Sequence, residues 1–198
     1  MTNNLFQHLT EKPLILASQS PRRQALLNQI GLDFSVKPPV VDETVYQNEE
    51  PEEHVKKLSL LKAQKVAQNE ENAIIVGADT IVCIDGDILG KPEDKQHAFE
   101  MLRRLSGHVH YVYTGFALID RPSNRSATDV ERTAVHFRTL SDAEINRYVE
   151  SENPMDKAGA YGIQDFSALF VDYIEGCFYN VVGFPLTRFY LAFHKFIQ

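Results

Sequence analysis

Apolar residues recur along this chain in two rhythms, one suited to strands and one to helices. Short apolar or alternating runs predict strands at Leu14–Ala17, Ala73–Val76, Ile81–Ile84, Ile88–Leu89, Val109–Ile119, Asp129–Thr139, Ala168–Ile174 and Cys177–Val182. Apolar positions three and four apart predict helices from Pro21 towards Gly31 and over Glu52–Gln68, Pro92–Leu105, Asp142–Glu150 and Leu186–Phe196. Interleaving of the two rhythms makes this an α/β chain.

Local signals sharpen several boundaries. Ser20 followed by Pro21 reads as an N-cap with proline at the first helical position, and Ser141 with Glu144 reads as a capping box. Asp85-Gly86 and Glu175-Gly176 read as tight turns between extended runs, which predicts hairpins and therefore a mixed sheet. A doubly wound dinucleotide-binding sheet would need repeated strand–helix–strand units and a G-x-G-x-x-G turn, and the chain has neither. The closing helix carries Leu186, Phe189, Tyr190, Phe193 and Phe196, an apolar stripe that suits either a core or a subunit contact and so keeps a homodimer among the expectations.

With 198 residues, 43% of them hydrophobic, the chain can bury a sizeable core and is expected to form one domain over 1–198, with room for two lobes. No run of about 20 apolar residues suits a membrane span, and no leader pattern opens the sequence, so a soluble protein is expected. Cys83 and Cys177 lack the spacing of a zinc site or disulfide framework and fit a reducing cytoplasm. A formal net charge of −7 argues against broad binding to nucleic acid, so any polyanionic ligand must meet a local basic cluster.

Such a cluster begins at Arg22 and Arg23, in the first turn of a helix whose dipole already disfavours cations. An anion held there would explain the pair, whereas solvated side chains would serve no ligand. In AIIVGADTIVCI, Asp79 follows one apolar strand and precedes another, where an ionised carboxylate needs a cation, a metal ion or hydrogen-bond donors. Gly77 permits a close backbone approach beside it. GDILGKP at Gly86–Pro92 is too short between its glycines for a phosphate-binding P-loop and has proline where Ser or Thr should follow, yet Lys91 stands in a turn before a helix. MDKAGAYGIQ, Met155–Gln164, is a small-residue loop in which Lys157 could meet phosphate and the Gln164 amide could read a base edge. His108 and His110 alternate on a strand without a third ligand at metal spacing, and no G-x-S-x-G nucleophile appears. Attack by water therefore suits the chain better than covalent catalysis.

SQSPRR, GADT, GKP, DKAGAYGIQ and the VVGFPL ending, taken in order from about Leu14 to Tyr190, resemble the Maf (septum-formation inhibitor) family of nucleoside triphosphate pyrophosphatases. The resemblance implies a two-lobed α/β fold like that of inosine triphosphate pyrophosphatases, with an elongated twisted mixed sheet flanked by helices and a nucleotide cleft between lobes. It also implies hydrolysis of a nucleoside triphosphate to monophosphate and pyrophosphate with a divalent cation, Mg2+ or Mn2+. On this likeness Asp79 is the proton acceptor, while Ser18, Ser20, Arg22, Arg23, Lys62, Lys91 and Lys157 hold phosphates. Asp42-Glu43 matches the family's acidic pair, which makes Glu43 a metal ligand together with Asp79.

Arg22, Thr80 and Gln164 match the family branch that acts on dTTP and UTP, modified pyrimidine nucleotides included, with Thr80 and Gln164 beside the base. The branch acting on 7-methyl-GTP instead resembles SPWRR, SDQ and a glutamate at those positions. Asp165 and Ser167 stand where the family commonly has glycine, and Asp165 is expected to accept left-handed backbone angles while adding negative charge near the nucleotide. An expectation from another class is a nucleotide-binding regulator of cell division with little or no turnover. Asp79 beside a set of basic residues weighs against it, because a binding module needs no general base.

Overall fold

The structure, a computed structural model, describes residues 10–42, 49–151 and 154–198. In chain order its elements are β1 (Leu14–Ala17), α1 (Pro21–Gln29), β2 (Ser35–Val36), α2 (Pro51–Ala67), β3 (Ala73–Ile84), β4 (Asp87–Leu89), α3 (Lys95–Leu105), β5 (Val109–Arg121), β6 (Ser126–Phe137), α4 (Asp142–Ser151), β7 (Val171–Glu175), α5 (Phe178–Val182) and α6 (Leu186–Ile197). Short 3-10 turns occupy Pro154–Asp156, Ala158–Ala160 and Phe166–Phe170. The expected caps form: Ser20 accepts from the Arg23 amide ahead of α1, and Ser141 exchanges bonds with Glu144 at the start of α4. The Glu144 carboxyl is held down to about 2 chiefly by its bond from Arg138 and secondarily by the Ser141 amide.

Among the described residues the strands run in the order β2-β1-β3-β5-β6-β7, with β4 paired to β3. β1 is parallel to both β2 and β3, while β4 on β3 and β7 on β6 are antiparallel, so the sheet is mixed, with the predicted hairpin at Asp85-Gly86 joining β3 to β4. The chain divides into two compact units: Met1–Asp79, Thr114–Glu131 and Gly183–Gln198 form one, Thr80–Tyr113 and Arg132–Val182 the other. In the first, Ile15, Ala17, Ile75 and Ala117 pack with Ala63 and Val66 of α2. The aromatic stripe of α6 belongs to this unit's interior, with Phe189 and Phe193 fully buried and Phe189 edge-on to Phe116 at 5.7 Å. The second unit has its own core around Leu102, Val135, Phe137, Tyr148 and Phe170. No described helix is long and apolar enough to cross a membrane.

Four expectations change. The two strands proposed on either side of Asp79 are one strand, β3, and Asp79 lies within it. Cys177–Val182 is not a strand, and Glu175-Gly176 is not a hairpin turn, because residues 178–182 form α5. That segment docks through its polar groups: buried Asn180 donates to the Val112 carbonyl and to Thr133 Oγ1, both at 3.0 Å, and the Cys177 amide donates to the same Oγ1 at 3.1 Å. These bonds outweigh the strand propensity of its β-branched and aromatic residues. Ala168–Ile174 becomes a 3-10 turn followed by β7, because Asp165 caps the turn through the Ser167 amide. Finally, α3 starts at Lys95 rather than Pro92, with Asp94 as its N-cap accepting from His97.

Two glycines set the position of α2. A Cβ added at Gly77 of β3 would lie 2.2 Å from the Ser59 carbonyl oxygen and 2.8 Å from the Ala63 amide nitrogen. One added at Gly115 of β5 would lie 2.4 Å from the Val55 carbonyl oxygen. Helix backbone therefore rests directly on neighbouring strands, a contact open only to residues without a side chain. Small Ser59 and Ala63, both fully buried, complete the seam. Gly115→Ala should force α2 away from the sheet at a cost of about 1–3 kcal/mol, lowering the melting temperature by roughly 3–10 °C. An unchanged melting curve would show that the close approach is not required.

Candidate active site

In the first unit, β1 and β3 run side by side in parallel with Ala17 opposite Gly77, so the residues leaving β1 emerge beside the middle of β3. The carboxyl ends of parallel strands are where α/β sheets present ligand-binding loops. Side chains two apart on a strand share a face, so Asp79 projects on the side where Gly77 admits α2. Lys62, one residue before the Ala63 seated on Gly77, meets it there: its Nζ donates to Asp79 Oδ1 at 2.7 Å. Both side chains are largely buried, at 13% and 10% exposure, so the pair forms where little water competes with it. Sequence reasoning assigned Lys62 to phosphates; the structure shows it on Asp79.

The turn leaving β1 is tied to itself and to α1. Ser18 Oγ accepts from the Ser20 amide at 3.3 Å and from the Arg23 guanidinium, and Ser20 Oγ accepts from the Arg23 amide at 3.3 Å. The buried Arg23 also donates from Nε to the Gly183 carbonyl at 3.2 Å, joining the first motif to the segment that precedes α6. Arg23 thus neutralises none of its charge on a carboxylate of the α1 first turn, which holds no acidic residue. Its guanidinium orders the Ser18 hydroxyl and the approach to α6, while half-buried Arg22 lies beside the exposed helix start. Backbone amides at such a helix start and nearby cations form an anion-accepting arrangement.

In the second unit, Thr80 is half-buried on β3, immediately after Asp79, and Lys91 is exposed in the turn after β4. That turn is fastened to the small-residue loop by the bond from the Gly159 amide to the Gly90 carbonyl at 3.0 Å. Gly159 has φ of +66°, and a Cβ there would press on Val82 at 3.1 Å, so both backbone angle and space favour glycine. The Lys91 and Lys157 segments are therefore neighbours. Lys157 is largely buried and contacts Asp156 at 2.8 Å and Asp165 at 3.5 Å, while Gln164 is exposed.

Asp165 is not in the left-handed region: its φ of −115° is extended, and its carboxylate caps the following turn. Ser167 is fully buried and donates to the Gly162 carbonyl at 2.9 Å while accepting from the Gly162 amide at 3.0 Å. The two residues rebuild the turn with side-chain bonds. His110 is a core histidine: buried, bonded to the Tyr161 hydroxyl at 2.7 Å, and pushed down to about 3 by desolvation and by His136.

Glu43, expected as a metal ligand, lies outside the described residues. Among those described, no group of three histidine, cysteine or acidic side chains is gathered to hold a metal. Asp79 nevertheless suits a hard cation, since magnesium characteristically takes one or two carboxylates and fills its remaining positions with water and substrate phosphates. Sequence reasoning missed Gly115 and the Gly183 carbonyl. A glycine within the apolar run VYTGFALI was the available signal for the first, whereas a backbone acceptor such as the second leaves none.

A profile of the Maf-like protein family matches residues 13–196. The chain is similar to the dTTP/UTP pyrophosphatase of Salinibacter ruber, 53% identical over 179 residues that span 90% of this chain and 88% of that one. It is 49% identical to the dTTP/UTP pyrophosphatase of Dictyoglomus turgidum over 93% of this chain and 96% of the relative. With the dTTP/UTP pyrophosphatase of Caldicellulosiruptor bescii the identity is 47%, over 93% and 94% of the two chains.

Replacing Arg23 removes the donors to the Ser18 hydroxyl and the Gly183 carbonyl, so Arg23→Ala should destabilise the protein by about 1–3 kcal/mol. Arg22→Ala should move the melting temperature less. Equal shifts for the two variants in a thermal melt would contradict a structural role for Arg23.

Proposed function

This chain belongs to the family of Maf-like proteins, and on that premise we propose that it hydrolyses dTTP and UTP to the nucleoside monophosphate and pyrophosphate, modified pyrimidine nucleotides included. The observation that carries this proposal is the Lys62–Asp79 pair at 2.7 Å beside the carboxyl end of β1. It supplies a carboxylate oriented by a lysine in a chain about half identical to dTTP/UTP pyrophosphatases over most of its length.

Asp79 takes a proton from water as the water oxygen bonds to the α-phosphorus. The bond from that phosphorus to the α,β-bridging oxygen breaks, and pyrophosphate leaves with the electron pair. Lys62 donates to the carboxylate and fixes its orientation, so that it arrives as an acceptor already in place. Ser18, Ser20, Arg22, Arg23, Lys91 and Lys157 offset charge on the triphosphate and on the leaving group. A divalent cation, Mg2+ or Mn2+, supplies electrophilic polarisation of the phosphate oxygens when bound. Asp79 would hold it from the described residues, and Glu43 would be a second ligand from outside them.

Thr80 and Gln164 face the base. The Gln164 amide offers one donor and one acceptor, complementary to the carbonyl and N–H that thymine and uracil share and that cytosine does not present in that pattern. The wrong base would leave a polar group unpaired at about 1–3 kcal/mol, roughly a five- to hundredfold preference. Such chemistry, together with two free cysteines, suits the cytoplasm.

The test is a panel of dTTP, UTP, CTP and 7-methyl-GTP with purified protein and magnesium, quantifying pyrophosphate and monophosphate. Wild type should release both products in equal amounts from dTTP and UTP. Asp79→Asn should keep native circular dichroism and lose at least about a hundredfold in turnover. Preference for 7-methyl-GTP would overturn the substrate assignment. Nucleotide binding without product release would return the regulator in place of the enzyme.

A further inference from the structure

Lys157 is bound from two sides by carboxylates of its own unit. Its Nζ donates to Asp156 Oδ1 at 2.8 Å and lies 3.5 Å from Asp165 Oδ2. The stem of Lys157 lies across Gly162, where an added Cβ would meet Cδ and Cε at 3.0 Å. The ammonium is thus confined to a small region between two negative groups. Asp165 is itself anchored independently of Lys157: Oδ1 accepts from the Ser167 amide at 2.8 Å, and Oδ2 accepts from the Tyr148 hydroxyl at 3.3 Å. The carboxylate therefore keeps hydrogen-bond donors when the ammonium leaves it. At 3.5 Å the contact with Lys157 is longer than a hydrogen bond of ordinary length, an attraction of the kind that a more highly charged anion can displace.

We propose that Asp165 is a positioning residue that holds Lys157 in the free enzyme and competes with the nucleotide triphosphate for it, so that Asp165 sets the affinity for the polyphosphate end of the substrate. This rests on the assignment of Lys157 to the phosphates. Two carboxylates around one ammonium leave the loop with net negative charge, which opposes an incoming polyanion until Lys157 turns to it. The cost of that exchange falls on binding and leaves the water-activating carboxylate of Asp79 untouched. The Asp165 side chain thereby tunes affinity through Lys157 while its other oxygen maintains the turn at Phe166–Phe170.

Asp165→Asn keeps an oxygen to accept from the Ser167 amide and removes the charge; Asp165→Ser is a second variant that retains an N-cap oxygen. Each is compared with wild type, Lys157→Ala and the double variants for the KM of dTTP, kcat, and the inhibition constant of inorganic pyrophosphate, at low and at high salt. Removing the charge should lower both KM and the pyrophosphate inhibition constant about two- to fivefold, the range of a partly exposed ion pair. It should leave kcat within about twofold and lose its effect as salt rises. In the Lys157→Ala background the gain should vanish. Unchanged or raised KM and inhibition constants in the Asp165 variants, with Lys157→Ala weakening both, would overturn the competition while leaving Lys157 on the phosphates. The same gain with and without Lys157 would show that Asp165 acts by general repulsion and would also overturn it. If Lys157→Ala alone changes neither constant, the phosphate assignment of Lys157 is what has failed, and the competition falls with it.

Discussion

The ion pair between Lys62 and Asp79 is the contact on which the candidate site in the first unit depends. Lysine has the length to reach many places, but this one leaves a helix whose backbone is pressed onto β3 and β5 through Gly77 and Gly115. The separation of helix and strand is therefore fixed by main-chain contacts, and from that fixed position Lys62 reaches the Asp79 carboxylate at 2.7 Å. With only 13% and 10% of the two side chains exposed, neither charge is well served by water, and each depends on partners within the protein. Packing and hydrogen bonding thus converge on an Asp79 that is held still.

The basic residues around the motifs differ in how firmly the protein itself already holds them. Arg23 is buried and already donates to Ser18 and to the Gly183 carbonyl, so much of its value lies in keeping the turn after β1 in register with the entry to α6. In the other unit Lys91 is exposed and Lys157 is held by acidic neighbours, and the bond from Gly159 to Gly90 keeps their two segments together. A cation held loosely by a carboxylate differs functionally from one bonded to backbone and hydroxyl groups. The first can be exchanged for phosphate; the second also shapes the site that phosphate enters.

Features governed by neighbours along the chain are legible in the sequence itself. Ser20-Pro21 and the Ser141–Glu144 box cap helices where local chemistry says they should, and the apolar run Leu14–Ala17 is a fully buried strand. Features governed by distant partners are not. Cys177–Val182 has the composition of a strand, yet Asn180 is drawn into bonds with Val112 and Thr133, residues 68 and 47 positions away, and the segment is helical. The motif glycine Gly77 is visible as a place of close approach, while Gly115 cannot be connected to the Val55 carbonyl without the fold. Likewise the family resemblance supplies Lys62 and Asp79 as separate candidates, 17 positions apart, and only the seating of α2 shows them to be one pair.

If that pairing is the basis of activity, the two residues must act as a unit, because effects of residues that share one interaction do not multiply. The most direct measurement is a double-mutant cycle on kcat/KM for dTTP with wild type, Lys62→Met, Asp79→Asn and the double variant, each shown to be folded. The account predicts that Lys62→Met causes a large loss in wild type and little further loss once Asp79 is already Asn. Independent losses that multiply in the double variant would contradict it.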